Sequence, residues 1–192
     1  MLLDLVTPRA SYQGLRLGLL GRHQAHNAAL AVLAAERLGE IGFPVPRAAV
    51  RAGLAAARWP GRCDYRPGRP GLLLDGSHTA GSAQALASLL EEVFPDRRIA
   101  LVFGALRDKR VATMAASLFP LAASVQLVRA PEERGLEPAE LLARAPRELR
   151  GRCRLATDIP AALERARRDA GPCGLVVVAG SLFLVGEVLS QH

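Results

Sequence analysis

The chain has 192 residues, half of them hydrophobic and 22% charged, the composition of a folded globular protein with room for a sizeable core. Its 25 basic residues outnumber 18 acidic ones, and every basic residue except Lys109 is arginine. A Walker A phosphate loop is excluded, because its Gly-Lys-Ser/Thr step needs a lysine that Asp108-Lys109-Arg110 does not supply. Cys63, Cys153 and Cys173 are odd in number and widely spaced, with no C-x-x-C, so neither a zinc knuckle nor a redox pair is indicated. Reduced thiols in a cytoplasmic protein are expected. Asp4 interrupts the first apolar stretch, which is wrong for a signal peptide. The charge-free stretch from Ala170 to Gly186 is broken by Pro172 and several glycines, so no membrane segment is read. Aromatic residues make up only 4%, and the arginine clusters at 147–154 and 165–168 read as solvated surface rather than a nucleic-acid platform.

In chain order, residues 1 to about 20 read as extended pieces joined by a turn, LRLGLL being the clearest. Gln24 to Leu38, rich in alanine and leucine, reads as a helix. A second helix follows from about Pro46 to Ala57, with proline at its start. The Gly- and Pro-rich WPGRCDYRPGRPG then marks a boundary at 58–61, dividing 1–57 from 62–192.

Beyond it, strands are predicted near 62–66, 71–75, 98–104, 124–129, 152–155 and 174–179. Helices are predicted near 80–94, 110–118, 137–145, 158–170 and 181–190. IALVFG and GLVVVAG are short continuous apolar runs, as expected for strands buried on both faces. The first two strands, separated only by Pro67-Gly68-Arg69-Pro70, should pair as an antiparallel hairpin. The remaining alternation of strand and helix implies an α/β fold: a doubly wound, mostly parallel six-stranded sheet with one antiparallel edge strand.

In such sheets ligands bind outside the carboxyl ends of the strands. Three turns are placed there: DGSHTAGS after the second strand, GALRDKR after the third, and AGS after the last. They put Asp75, Ser77, His78, Thr79, Asp108, Lys109 and Ser181 along one rim. Each residue also has a plainer role open to it. Asp75 suits an Asp-Gly turn, His78, Thr79 and Ser181 suit helix caps, and Asp108-Lys109 suits an exposed ion pair.

The ordered motifs go further. WPGRCDYR followed by LLLDGSHTAGSAQAL resembles the W-P-G-R-[LF]-E … L-D-G-A-H-N-P segment of folylpolyglutamate synthase/dihydrofolate synthase, a branch of the Mur ligases. LLGRHQAHNAALAVLAAERL resembles the family's L-x-G-x-H-Q-x-x-N-A-A-x-A helix. VFGALRDKRVATM resembles its G-x-x-x-D-K-D segment, and VVVAGSLFLVGEV its closing G-S-L-Y-L-V-G-E. The set covers nearly the whole chain in the family's order.

The resemblance implies an ATP-dependent ligase, with a Rossmann-like C-terminal domain at 62–192 and a helical remnant of the central ATPase domain at 1–57. ATP's γ-phosphate would pass to the carboxylate of a folate or dihydropteroate, and the amine of L-glutamate would attack the acyl phosphate. This chemistry needs positioning and charge neutralisation rather than a protein nucleophile, so no catalytic residue is assigned. By motif position Asn27, Arg62, Asp75 and His78 would contact ATP, and Asp108, Lys109 and Ser181 would line the glutamate pocket. Magnesium would be held mainly by the N-terminal ATPase domain of the family, which carries the glycine-rich loop and is absent here. That domain is the expected physical complement, and without it the first segment should fray or cover its apolar helix faces otherwise. An isolated chain is expected to show no turnover.

Two departures stand out: His78-Thr79-Ala80 replaces His-Asn-Pro, and Cys63-Asp64 replaces leucine-glutamate while keeping the acidic charge. Alternative readings are a non-catalytic nucleotide-binding or interaction module derived from a Mur-type ligase, and a ligase of the peptidoglycan branch. The D-G-x-H and H-Q-x-x-N-A-A wording favours the folate branch.

Overall fold

The computed structural model describes residues 1–191 and separates into two compact units, one from Met1 to Trp59 and one from Pro60 onward. In the first unit, β1 (Leu2–Val6) and β2 (Ser11–Arg16) pair antiparallel. The Thr7 hydroxyl closes their turn by accepting the N–H groups of Arg9 and Ala10 at 3.2 and 2.9 Å. Residues 1–6 are therefore paired rather than frayed. Only the start of LRLGLL is in the hairpin, because β2 ends at Arg16 and Leu17 closes the pairing by donating its N–H to the Met1 carbonyl.

The helix α1 (Arg22–Glu40) and the helix α2 (Arg47–Ala56) complete the unit. Gln24, Ala28 and Val32 form the buried stripe of α1, four residues apart as helix geometry demands. Val32 joins Tyr12 and Leu15 of β2 in a small core, with Val50 and Leu54 of α2 packed against it. Leu30, Leu33 and Leu38, on a different side of α1, stay exposed, as does Ile41 at its C-cap.

The second unit is built around one sheet. Its strands are β3 (Asp64–Arg66), β4 (Gly71–Leu74), β5 (Ile99–Phe103), β6 (Ser124–Leu127), β7 (Cys153–Leu155) and β8 (Leu175–Ala179), in spatial order β3-β4-β8-β5-β6-β7. β3 runs antiparallel to β4, in register Asp64↔Leu74, and every other pairing is parallel. Every residue of β5 and β8 is buried, as their continuous apolar runs require. The helices are α3 (Ala80–Val93), α4 (Val111–Leu118), α5 (Pro138–Arg144), α6 (Ile159–Ala170) and α7 (Leu182–Ser190).

Val102, Val176 and Val178 pack with Ala162, Leu163 and Ala166 of α6 and with Leu184, Val185 and Val188 of α7. Phe103, of opposite parity in β5, meets Phe119 edge-on at 5.2 Å in the short 3-10 turn that follows α4. Alternate side chains of one strand thus feed two layers, which is what a doubly wound sheet needs. A 3-10 segment at Arg147–Arg152 was not expected. There Arg150 spends its guanidinium on the carbonyls of Ala143 and Ala145, and Arg152 reaches the carbonyl of Ala122. The chain steps from β4 through β5 and β6 to β7, then returns to lay β8 between β4 and β5. The sheet therefore changes direction at β8, and the carboxyl ends of β4, β8 and β5 flank the crevice where ligands bind in this architecture.

Candidate functional site

The turn after β4 is built around Asp75, whose side chain is only 7% exposed. One carboxylate oxygen accepts the backbone N–H of Cys63 at 2.8 Å and the Cys63 thiol at 3.2 Å. The other accepts the N–H of Ser77 at 2.8 Å. Three donors thus hold a buried carboxylate in one orientation, as burying its charge demands. Cys63 makes this possible at a cost, for it is a non-glycine residue at φ 47°, in the sparsely populated left-handed region. Burial, and then the negative charge of Asp75, push the Cys63 thiol well above the usual thiol range, so it remains a protonated donor.

His78 follows. Its Nδ1 lies 2.9 Å from the carbonyl of Gly76, which can only accept, so Nδ1 is the donor, and in the neutral form of the ring Nε2 is the acceptor. Thr79 takes the plainer of its two roles. It is the N-cap of α3, in a reciprocal capping box with Ser82. Arg62 stands exposed immediately before Cys63, in the segment that begins at Gly61 with φ 73°.

At the end of β8, Gly180 adopts φ 106° and donates its N–H to the carbonyl of Ser77 at 3.0 Å, joining two turns of the rim. A side chain at Gly180 would collide with the carbonyl of Gly104, so all three strand ends meet closely here. Ser181 is 1% exposed and caps α7, its Oγ accepting the N–H of Phe183 at 3.2 Å. Beyond β5, Lys109 Nζ lies 2.8 Å from Asp108, with Arg134 at 3.5 Å on the other carboxylate oxygen. The Lys109 ammonium holds the Asp108 carboxyl below the usual carboxylate range.

Asp75, Ser77, His78 and Ser181 are thereby brought onto two adjoining strand ends, with Asp108 and Lys109 on the loop after β5, all within the second unit. Asn27 belongs to the first unit. It is exposed on α1, and its Nδ2 donates to Gln24 Oε1 at 3.0 Å. The sequence places Ser77 on the rim without giving it a role, and it does not single out Gln24 or Cys63 for the site. The i, i+3 spacing of H-Q-x-x-N could have flagged Gln24. Nothing in the sequence announces the backbone twist that turns the Cys63 N–H toward Asp75.

The rim presents a fixed carboxylate, an imidazole acceptor, two buried hydroxyls, an ammonium and a nearby guanidinium. It offers acceptors for ribose hydroxyls and donors for anionic groups. Among the described residues no group of three or more His, Cys, Asp or Glu side chains could hold a metal.

The family model described as Mur ligase, glutamate ligase domain, matches residues 61–182. A protein of Bacillus subtilis named dihydrofolate synthase/folylpolyglutamate synthase is 37% identical over 120 residues, which are 62% of this chain and 28% of that one. A Mycobacterium tuberculosis folylpolyglutamate synthase complexed with ADP superposes with a TM-score of 0.84 at 31% identity, covering 95% of this chain and 42% of that one. A bifunctional folylpolyglutamate synthase/dihydrofolate synthase with Mn, AMPPNP and L-glutamate bound superposes with a TM-score of 0.80 at 26% identity, covering 98% of this chain and 43% of that one. The chain spans only 20% and 28% of the lengths of the first two curated relatives it matches.

Proposed function

Because this chain belongs to the Mur ligase family, through a glutamate ligase domain at residues 61–182, we propose that it is the carboxyl-terminal portion of a cytoplasmic ligase joining L-glutamate to a folate, and also to dihydropteroate. The observation that carries the reading is the Asp75 carboxylate, held by three donors at the strand end where the sheet changes direction. A carboxylate fixed in this way can accept from the ribose hydroxyls of ATP without reorganising, the kind of positioning that phosphoryl and acyl transfer require.

In this reading Asn27, Arg62, Asp75 and His78 contact ATP. Arg62 supplies a planar guanidinium for phosphate oxygens, and His78 places its Nε2 acceptor beside the nucleotide. Asp108, Lys109 and Ser181 line the glutamate pocket, Lys109 meeting a substrate carboxylate and Asp108 fixing the ammonium. ATP phosphorylates the folate carboxylate, the glutamate amine attacks the acyl carbonyl, and phosphate leaves. Residues 1–57 belong to the preceding ATPase domain, 58–61 form the linker, and 62–192 form the ligase domain. The remainder of that ATPase domain holds magnesium and covers the exposed side of α1, whose Leu30, Leu33 and Leu38 give the helix a second apolar face. On its own the chain does not turn over.

The test is calorimetric titration of the chain with magnesium-ATP, wild type beside Asp75→Ala. Weak binding in wild type that is lost in the variant is the expected result. Fusion to the amino-terminal portion of the Bacillus subtilis relative should then restore glutamate-dependent phosphate release. A fusion that binds ATP yet never releases phosphate would favour the non-catalytic module.

A further inference from the structure

Ser77 is an unspent polar group in the middle of the rim. It is 3% exposed, and its Oγ has no hydrogen-bond partner. Its backbone, in contrast, is fully used: the N–H donates to Asp75 at 2.8 Å, and the carbonyl accepts the N–H of Gly180 at 3.0 Å. Alanine would make both of those bonds equally well and would bury no orphaned hydroxyl, so the fold of this turn does not call for serine. Alanine is also what the L-D-G-A-H-N-P motif carries at this position. The hydroxyl is a departure from that motif and costs stability until something pairs with it.

What could pair with it follows from its neighbours. Ser181, next to Gly180 on the adjoining strand end, has a second buried hydroxyl whose oxygen already accepts the Phe183 N–H, so its own proton is not spent on that bond. Two hydroxyl donors on strand ends joined by the Gly180–Ser77 bond suit one anionic acceptor group.

We propose that Ser77 is a substrate-binding residue, its hydroxyl donating to a carboxylate oxygen of the incoming amino acid beside Ser181. This rests on the reading of Ser181 and Lys109 as the glutamate pocket, and it adds to that pocket a specificity residue supplied by β4. A hydrogen bond to a charged acceptor is worth roughly tenfold or more in affinity.

The experiment compares wild type with Ser77→Ala in the 192-residue chain. L-glutamate, L-glutamine, L-isoglutamine and magnesium-ATP are titrated separately by calorimetry, and thermal unfolding of each protein is recorded without ligand. The expected result is a roughly tenfold weaker L-glutamate affinity in Ser77→Ala, with ATP affinity unchanged and a Tm equal to or above wild type. The variant should also lose wild type's preference for L-glutamate over one of the two amides, which identifies the carboxylate concerned. Unchanged L-glutamate affinity with a raised Tm would make Ser77 a merely buried hydroxyl and overturn the proposal. A fall in ATP affinity instead would assign the hydroxyl to the nucleotide and overturn it equally. Wild type that binds ATP but not L-glutamate would remove the whole glutamate pocket, Ser77 included. Wild type that binds neither, both alone and fused to the amino-terminal portion of the Bacillus subtilis relative, would overturn the ligase reading itself. A lowered Tm with lost binding would assign Ser77 a structural role, against the proposal.

Discussion

Asp75 and Cys63 form a unit in which the carboxylate accepts both the N–H and the thiol of Cys63. Two N–H groups and a thiol point at the buried carboxylate, and the thiol stays protonated because it is buried and faces that carboxylate. This coupling has a pH signature. The thiol's value is raised on folding, so its contribution to stability is complete below the ordinary value of 9.0 and is lost as the pH climbs from there. Chemical denaturation between pH 8 and pH 11 should show stability falling with pH, and Cys63→Ala should flatten part of that fall. An identical slope in the two proteins would mean that neither burial nor Asp75 raises the thiol's value. The left-handed backbone at Cys63 was invisible beforehand, because a cysteine gives no sign of a positive φ as a glycine does. The plainer roles foreseen for Thr79 and Ser181 did prove to be occupied, since both cap helices. For Ser181 a cap does not compete with binding, because capping uses the oxygen and leaves the proton.

At the scale of elements, the helices and strands of the second unit lie within about two residues of their sequence-based bounds, and the reasons are local. IALVF and LVVVA are apolar at every position, and both strands are buried along their whole length. Helix starts were marked by polar caps, Thr79 before α3 and Asp158 before α6, each accepting a backbone N–H three residues on. The capping box at α3 orders the segment that carries His78. Thr79→Ala should cost about 1 kcal/mol. By the usual size scaling that lowers Tm by roughly 2–4 °C. Because Thr79 is exposed and touches no proposed ligand atom, nucleotide affinity should change less than the melting temperature suggests. A tenfold loss of ATP affinity without a change in Tm would instead place Thr79 in the site. The extended pieces joined by a turn are the β1–β2 hairpin, but LRLGLL reads as extended beyond Arg16, whereas β2 stops where its partner β1 stops, which is a property of the pair.

At the scale of the whole molecule, the two units differ in how far they satisfy themselves. The second buries complete strands under helices on both sheet faces, whereas the first rests on a core of Tyr12, Leu15 and Val32 with a few partly buried neighbours. Its helix α1 is apolar on two sides and covered on one. Replacing Leu30 and Leu38 together by glutamine should leave Tm within about a degree, because exposed positions contribute little to stability. It should also reduce self-association, read by light scattering at increasing concentration. A large drop in Tm would show that the face is covered after all. No described helix is long and apolar enough to cross a membrane. The sequence by itself determined the α/β class, the parallel sheet with its antiparallel edge, and which turns fall at the strand ends. Hydrophobic runs, glycines and caps are short-range signals, and the four ordered motifs named the family. Only the tertiary structure decided that β8 enters between β4 and β5, bringing Ser181 beside Ser77, and that the Cys63 backbone turns inward to hold Asp75. Those facts depend on contacts between residues 12 to more than 100 positions apart, and the burial that gives them their energy does not exist until the sheet has closed around them.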